Sequence, residues 1–149
     1  MIRQSPGPAL VVLDTNVVSE LMRDAPDADV VAWVGRRSPS SVRTTAITVA
    51  EVRYGIARLP TGRRRTLLRA AAEQVFDTFD EAVLPFDAAA ARHYADIVVE
   101  RGWAGTPISG FDAQIAAICR AASAELATRN TGDFEGLGLH LVDPWQPAL

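Results

Sequence analysis

Leu10-Val11-Val12-Leu13-Asp14-Thr15-Asn16-Val17-Val18 is the stretch on which the fold turns. Four consecutive apolar residues suit a short strand buried on both faces, the habit of strands in parallel sheets. The run stops at Asp14-Thr15-Asn16, and Val17, Val18, Leu21 and Met22 then recur at helical spacing. The expected unit is a buried strand that ends in a carboxylate and passes at once into a helix.

The same alternation continues downstream. Pro26 marks a helix start, with Val30, Val31, Trp33 and Val34 following. Val42 to Thr45 reads as a second strand. Thr48-Val49-Ala50-Glu51 has capping-box spacing and is expected to open a helix through Val52 and Ile56 to about Leu59. Pro60-Thr61-Gly62 breaks it. From Arg63, the positions Leu67, Leu68, Ala71, Ala72, Val75, Phe76 and Phe79 mark one face of a long amphipathic helix. Val83-Leu84-Pro85-Phe86 reads as a strand whose proline disfavours a central place. Asp87 can cap a helix carrying Ala91, Tyr94, Ile97 and Val98, which closes near Gly102. Ser109-Gly110-Phe111-Asp112 repeats the capping-box pattern before an apolar helix at Ile115 to Ala122. A strand around Leu126-Ala127-Thr128, a polar loop from Arg129 to Asp133 and a last strand near Leu139 to Val142 follow. Pro144-Trp145-Gln146-Pro147 is expected to leave the fold. Short strands alternating with longer helices predict an α/β fold with a mostly parallel central sheet and helices on both faces. The 149 residues suit one domain, with its core from about 10 to 145.

Hydrophobic residues make up 48% and charged residues 22%, the balance of a soluble globular chain rather than a disordered one. Nothing approaches the ~18 consecutive apolar residues of a membrane span. Ala9 to Leu13 is too short for a signal-peptide core, so a cytoplasmic location is expected. Cys119 is the only cysteine, which excludes an intrachain disulfide and a thiolate metal cluster. Within Ile115 to Cys119 it reads as a small buried hydrophobe. The net charge of −3 gives no general grip on nucleic acid. Taking four carboxylates out of −3 leaves +1, and arginine is clustered at Arg36-Arg37 and at Arg63-Arg64-Arg65 with Arg69. These clusters permit RNA binding and equally suit solvated surface.

Three carboxylates fall where a parallel sheet builds sites, at strand ends and the helix starts that follow them. Asp14 ends the first strand, and Glu51 and Asp112 hold the fourth position of the two capping-box patterns. Taken singly, each acid could do no more than cap a helix. That role leaves unexplained why Asp14 follows four apolar strand residues, where a carboxylate needs a partner. Acids converging in one cleft repel one another unless a cation neutralises them. Mg²⁺ or Mn²⁺ suits an all-oxygen donor set and leaves positions for water and phosphate oxygens, which is the requirement of phosphodiester hydrolysis. With His93 and His140 in unrelated segments and no cysteine ligand, zinc is disfavoured. Thr15 can donate to a carboxylate or phosphate, Asn16 can fix its loop, and Thr48 and Ser109 can hold the acids in place. Arg129 can meet an RNA phosphate or balance the acids, or simply face solvent. The chain lacks a glycine-rich phosphate loop, a dinucleotide fingerprint and a nucleophile elbow. Asn16 stands where an aspartyl-phosphate enzyme would need its second acid.

Val12-Leu13-Asp14-Thr15-Asn16-Val17-Val18-Ser19-Glu20 resembles the opening of PIN-domain proteins, most closely the VapC and FitB-like toxins of type II toxin–antitoxin systems. Ile47 to Gly55, Ile108 to Ala117 and Ala127 to Phe134 resemble their later blocks in family order, and Asp143-Pro144-Trp145 resembles the N-P-W ending of the FitB-like group. The resemblance implies a Mg²⁺- or Mn²⁺-dependent endoribonuclease acting on cellular RNA, and a homodimer neutralised by a cognate VapB/FitA-like antitoxin. Operator DNA would be bound only through that antitoxin, and no membrane is involved. Asp14, Glu51 and Asp112 match the family's most constant acids. For the fourth, FitB-like members can carry Asp at the position of Asn130, whereas others use the position of Asp133. Asp133 is the expected fourth ligand, because a carboxylate serves Mg²⁺ better than the neutral Asn130 amide. The alternatives are a non-catalytic PIN-like module that binds protein or RNA, and a flap-type DNA nuclease, for which no DNA-clamping insertion is evident.

Overall fold

Val11, Val12 and Leu13 form strand β1, and all three side chains are buried. In the computed structural model, which describes residues 9–79 and 82–147, this strand lies at the centre of a five-stranded sheet. The others are β2 (Val42–Thr45), β3 (Val83–Leu84), β4 (Glu125–Ala127) and β5 (Leu141–Val142). Their order is β3-β2-β1-β4-β5 and every pair is parallel. Register follows burial: Val12 sits beside Leu126, and Leu13 beside Ala127. β3, followed by Pro85, occupies an edge, where a residue without an N–H costs no ladder bond.

The period-two alternation of side chains divides the core into two parts. Val11, Leu13 and Ala127 pack with helices α1 (Thr15–Leu21), α2 (Ala28–Gly35), α3 (Ala46–Ala57) and α4 (Arg63–Phe79). Val12 and Leu126 pack with α5 (Ala88–Trp103) and α6 (Gly110–Ala122). The α/β architecture with helices on both faces is the one expected. On α4 the buried residues are Ala72, Phe76 and Phe79, as the periodicity indicated, while Leu67 is exposed. Cys119 is wholly buried on α6, and burial pushes its thiol up, so it is an inert core residue.

Several boundaries differ from expectation. The capping box at Thr48 does not open α3. That helix starts at Ala46 and is capped by Thr45, whose hydroxyl accepts from the Thr48 N–H at 3.0 Å. Thr45 is the last residue of β2 and wholly buried, so strand end and helix cap are one residue. Glu51 therefore stands one turn further in, free of any capping duty. The start of α2 likewise belongs to Asp27 rather than Pro26, with the Asp27 carboxylate accepting from Asp29 and Val30. The polar loop after β4 contains a 3₁₀ turn, Thr131–Phe134. Nor does the Pro144-Trp145 segment leave the fold. Trp145 packs against the first core cluster, anchored by its N–H to Asp143 Oδ1 at 2.9 Å.

Thr44 and Thr45 lie side by side in the core and should respond oppositely to the same substitution. Both are fully buried, but among the described residues Thr44 Oγ1 finds no hydrogen-bond partner. Replacing it with a methyl group removes an unpaired polar atom, so Thr44→Val should stabilise the protein by about 1 kcal/mol. Thr45→Val removes a helix cap and should destabilise it by about 1 kcal/mol. Urea unfolding of the two variants should give shifts of opposite sign.

Candidate active site

Parallel strands share one direction, so Leu13, Thr45, Ala127 and Val142 bring the chain to the same edge of the sheet. Ladder bonds carry on past the strand ends. The Asp14 N–H donates to the Ala127 carbonyl at 2.9 Å, and the Thr128 N–H to the Val142 carbonyl at 2.9 Å. Asp14 and Thr128 are thereby level with each other. Thr128 Oγ1 donates to Asp14 Oδ2 at 2.8 Å, while the Thr15 N–H donates to Asp14 Oδ1 at 2.8 Å.

A second line of hydroxyls reaches Glu51. Thr15 Oγ1 donates to Glu51 Oε1 at 2.8 Å and lies 3.1 Å from Thr48 Oγ1. Thr48 in turn accepts from Thr45 Oγ1 at 3.4 Å. The α3 cap, the helix start after β1 and the Glu51 carboxylate are thus joined. On the other side, Asn16 Nδ2 donates to Thr128 Oγ1 at 3.3 Å, and its carbonyl oxygen accepts from the Arg129 N–H at 3.3 Å. The Asn130 N–H also donates to Thr128 Oγ1, at 3.1 Å. Ser109 caps α6 by accepting from the Asp112 N–H at 3.2 Å, the arrangement its spacing predicts.

Asp14, Glu51 and Asp112 line one cleft of about 570 Å³ together with Thr15, Asn16, Arg129 and Asn130. Asp14 is only 4% exposed. Burial raises its carboxyl to about 6 from an ordinary 3.8; the Thr128 and Thr15 hydrogen bonds oppose the shift, and the charges of Asp112 and Glu51 add to it. Burial also pushes the Asp112 carboxyl up, against its hydrogen bond from the Ser109 side and with help from the charge of Asp133. Asp133 lies in an adjoining depression of about 400 Å³ that it lines together with Asp112, Ser109 and Arg101. Asn130, by contrast, lines the cleft that holds the three acids. Thr48 is wholly buried behind it.

Neither histidine lines the cleft. His93 and His140 border a separate depression beside Glu125, which begins β4 at the opposite end of the sheet. Four further cleft residues went unassigned in the sequence: Ser19, Glu20, Arg23 and Trp145. Glu20 is 6% exposed, accepts from the Asp27 N–H at 3.1 Å and pairs with Arg23 at 3.3 Å. The i,i+3 spacing of Glu20 and Arg23 was a usable signal for that pair. Arg23 also borders a neighbouring groove with Arg63 and Arg64, so part of the arginine cluster adjoins the acids.

An all-oxygen donor set around a buried acid suits a hard divalent cation. Among the described residues, however, no group of three or more His, Cys, Asp or Glu side chains is placed to hold a metal ion by itself. The three acids of the cleft fit the oxygen preference of Mg²⁺, an ion that keeps several of its waters and can be held partly through them.

Residues 11–138 match the PIN domain family. The chain is 42% identical over 140 residues to VapC ribonuclease Y4jK of Sinorhizobium fredii, covering 93% of this chain and 100% of that one. It is 38% identical to the toxin FitB of Neisseria gonorrhoeae, over 91% of this chain and 99% of FitB. A solved structure of FitAB bound to an IR36 DNA fragment superposes with a TM-score of 0.86 at 37% identity, covering 94% of this chain and 99% of its counterpart. The sequence blocks, the parallel sheet and these likenesses agree: the chain belongs to the PIN-domain family, among the toxins of the VapC/FitB toxin–antitoxin group.

Proposed function

We propose that this protein is a Mg²⁺- or Mn²⁺-dependent endoribonuclease toxin, held in check by a cognate antitoxin. The observation that carries the reading is a carboxylate, Asp14, 4% exposed at the end of the central strand, with Glu51 and Asp112 on the walls of the same cleft. Burying an acid among acids disfavours its charged form, and a bound cation reverses that preference. The ribonuclease named among its relatives supports RNA as the substrate.

Asp14, Glu51 and Asp112 would hold the cation, with Asp133 as the fourth acid acting through Asp112's side of the site. When bound, such an ion polarises a phosphate oxygen and makes a water more acidic. The chain's own residues supply orientation. Thr128 and Thr15 fix both oxygens of Asp14, Thr15 fixes Glu51, and Ser109 sets the start of α6 that presents Asp112. Asn16 ties Thr128 to the Arg129 backbone. Arg129 brings positive charge to the cleft rim, and Arg63 and Arg64 line the adjoining groove, which suits a polyanion. The similarity to FitAB, solved bound to a DNA fragment, supports an antitoxin partner, through which operator DNA would be bound. Homodimerisation is part of the same reading.

Purified protein should cut structured RNA only with Mg²⁺ or Mn²⁺. Glu51→Ala and Asp112→Ala should lower the rate by about 10²-fold or more while the variants remain folded. Near-normal turnover by a folded Asp112→Ala protein would sink the assignment of Asp112, whereas a wild type inert on RNA with either metal would favour a non-catalytic binding module.

Asp14 makes a separate prediction through stability. Its carboxyl titrates near 6 in the folded protein, above its ordinary 3.8, so the native state holds the proton more tightly than the unfolded chain. That contribution is complete below about pH 4 and is lost as pH rises through about 6. Without metal, Asp14→Asn should therefore melt at a higher temperature than wild type at pH 7.5, by an amount corresponding to roughly 2–3 kcal/mol. The gap should close towards pH 4. Mg²⁺ should raise the wild-type melting temperature at pH 7.5 and leave Asp14→Asn unmoved; calorimetry reads both effects.

For the fourth acid, cleavage against Mg²⁺ concentration ranks the candidates. Asp133→Asn should shift the curve to higher Mg²⁺ by more than Asn130→Ala does, and the reverse order would transfer the role to Asn130.

A further inference from the structure

The cleft bears two arginines, and they are held differently. Arg23 lies 3.3 Å from the buried Glu20 carboxylate, which neutralises it. Arg129 has no carboxylate within ion-pair distance among the described residues. Its guanidinium lies instead over the Trp145 ring, 4.9 Å from the centroid. Its backbone is fixed too, through the Asn16 oxygen to the network around Thr128 and Asp14. Trp145 is itself anchored, half-buried against the first core cluster and tied to Asp143. An aromatic face orients a guanidinium while leaving its charge and its N–H donors available.

A strand of RNA entering this cleft meets three acids, and needs a cation whose charge is not already spent. The geometry points to Trp145 as a positioning residue that holds Arg129 at the rim of the acid cleft to receive an RNA phosphate. The inference rests on the ribonuclease reading and adds to it the residue that aims the substrate contact. Trp145 acts only through Arg129: one face of its ring is covered by the guanidinium, so a base stacking there would have to displace it.

The test is steady-state cleavage of a fluorescent single-stranded RNA with Mg²⁺ at several salt concentrations, by wild type, Arg129→Gln, Trp145→Leu, Trp145→Phe and the Arg129→Gln/Trp145→Leu double variant. Arg129→Gln should raise KM about tenfold, and Trp145→Leu roughly three- to fivefold, with the effect on KM rather than kcat. Arg129→Gln should flatten the dependence of log KM on log salt by about 0.7, one single-strand phosphate contact, and Trp145→Leu should flatten it in part. Trp145→Phe should restore both, because an aromatic face remains. The double variant should be no worse than Arg129→Gln alone. Additive losses in the double variant, or a Trp145→Phe protein as impaired as Trp145→Leu, would overturn the positioning role. If Trp145→Leu does not fold, the Arg129→Gln arm still decides: an unchanged KM and salt slope in a protein that cleaves normally overturns the inference alone. A wild type inert on RNA with either metal overturns the ribonuclease reading and this inference together.

Discussion

Thr128 Oγ1 reaches Asp14 Oδ2 across the seam between β1 and β4, over 2.8 Å, and the rest of the cleft is arranged around that bond. It exists because the two strands are parallel and level, a register that the ladder bonds continue beyond the last strand residues. The Thr128 hydroxyl also accepts from Asn16 and Asn130, so one buried oxygen gathers the segment after β1 and the segment after β4. Two hydrogen bonds are not enough to offset the loss of water around Asp14, whose carboxyl still sits near 6. A core designed for stability alone would not place an acid there. Departures of this kind from local self-consistency are characteristic of functional sites.

How far the sequence revealed this depends on the range of the interaction involved. Leu10 to Leu13 announced a doubly buried strand, because four unbroken apolar residues stopped by a carboxylate leave no polar face to turn towards water. The five-strand parallel sheet followed from the alternation of elements. Asp14 and Asp112 were legible for a local reason: one ends a strand, and the other follows a capping serine by three residues. Glu51 lines the cleft, but the local argument that singled it out was mistaken. The true cap is Thr45, buried at the end of β2, and Thr48 donates its N–H to that cap rather than serving as one. A threonine that serves as both strand terminus and cap leaves the same sequence pattern as a helix starting three residues later.

The contacts made over long sequence separation were the ones that escaped. Glu20 and Arg23 reach the cleft because α1 lies along its wall, and Trp145 reaches it because β5 returns beside β4. The flanking prolines made that segment look like an exit from the fold. In the folded protein they frame a short turn that seats the indole against Arg129 and the first core cluster. Nothing local to residues 144–147 encodes that contact, because its partner lies before β5 and its seat is formed by helices from the first half of the chain.

The order in which these parts appear along the chain has a bearing on its biosynthesis. α1 to α4 and the first two strands are synthesised early, and they supply Asp14, Glu51 and most of the first core cluster. Asp112 follows on α6, and Thr128, Arg129 and Trp145 come after it. A nascent chain still on the ribosome, surrounded by RNA, therefore has its first acids without the strand that levels Asp14 or the side chains that close the rim. Placing β4 directly beside β1, while separating them by more than a hundred residues of sequence, delays assembly of the cleft until nearly all of the domain has emerged.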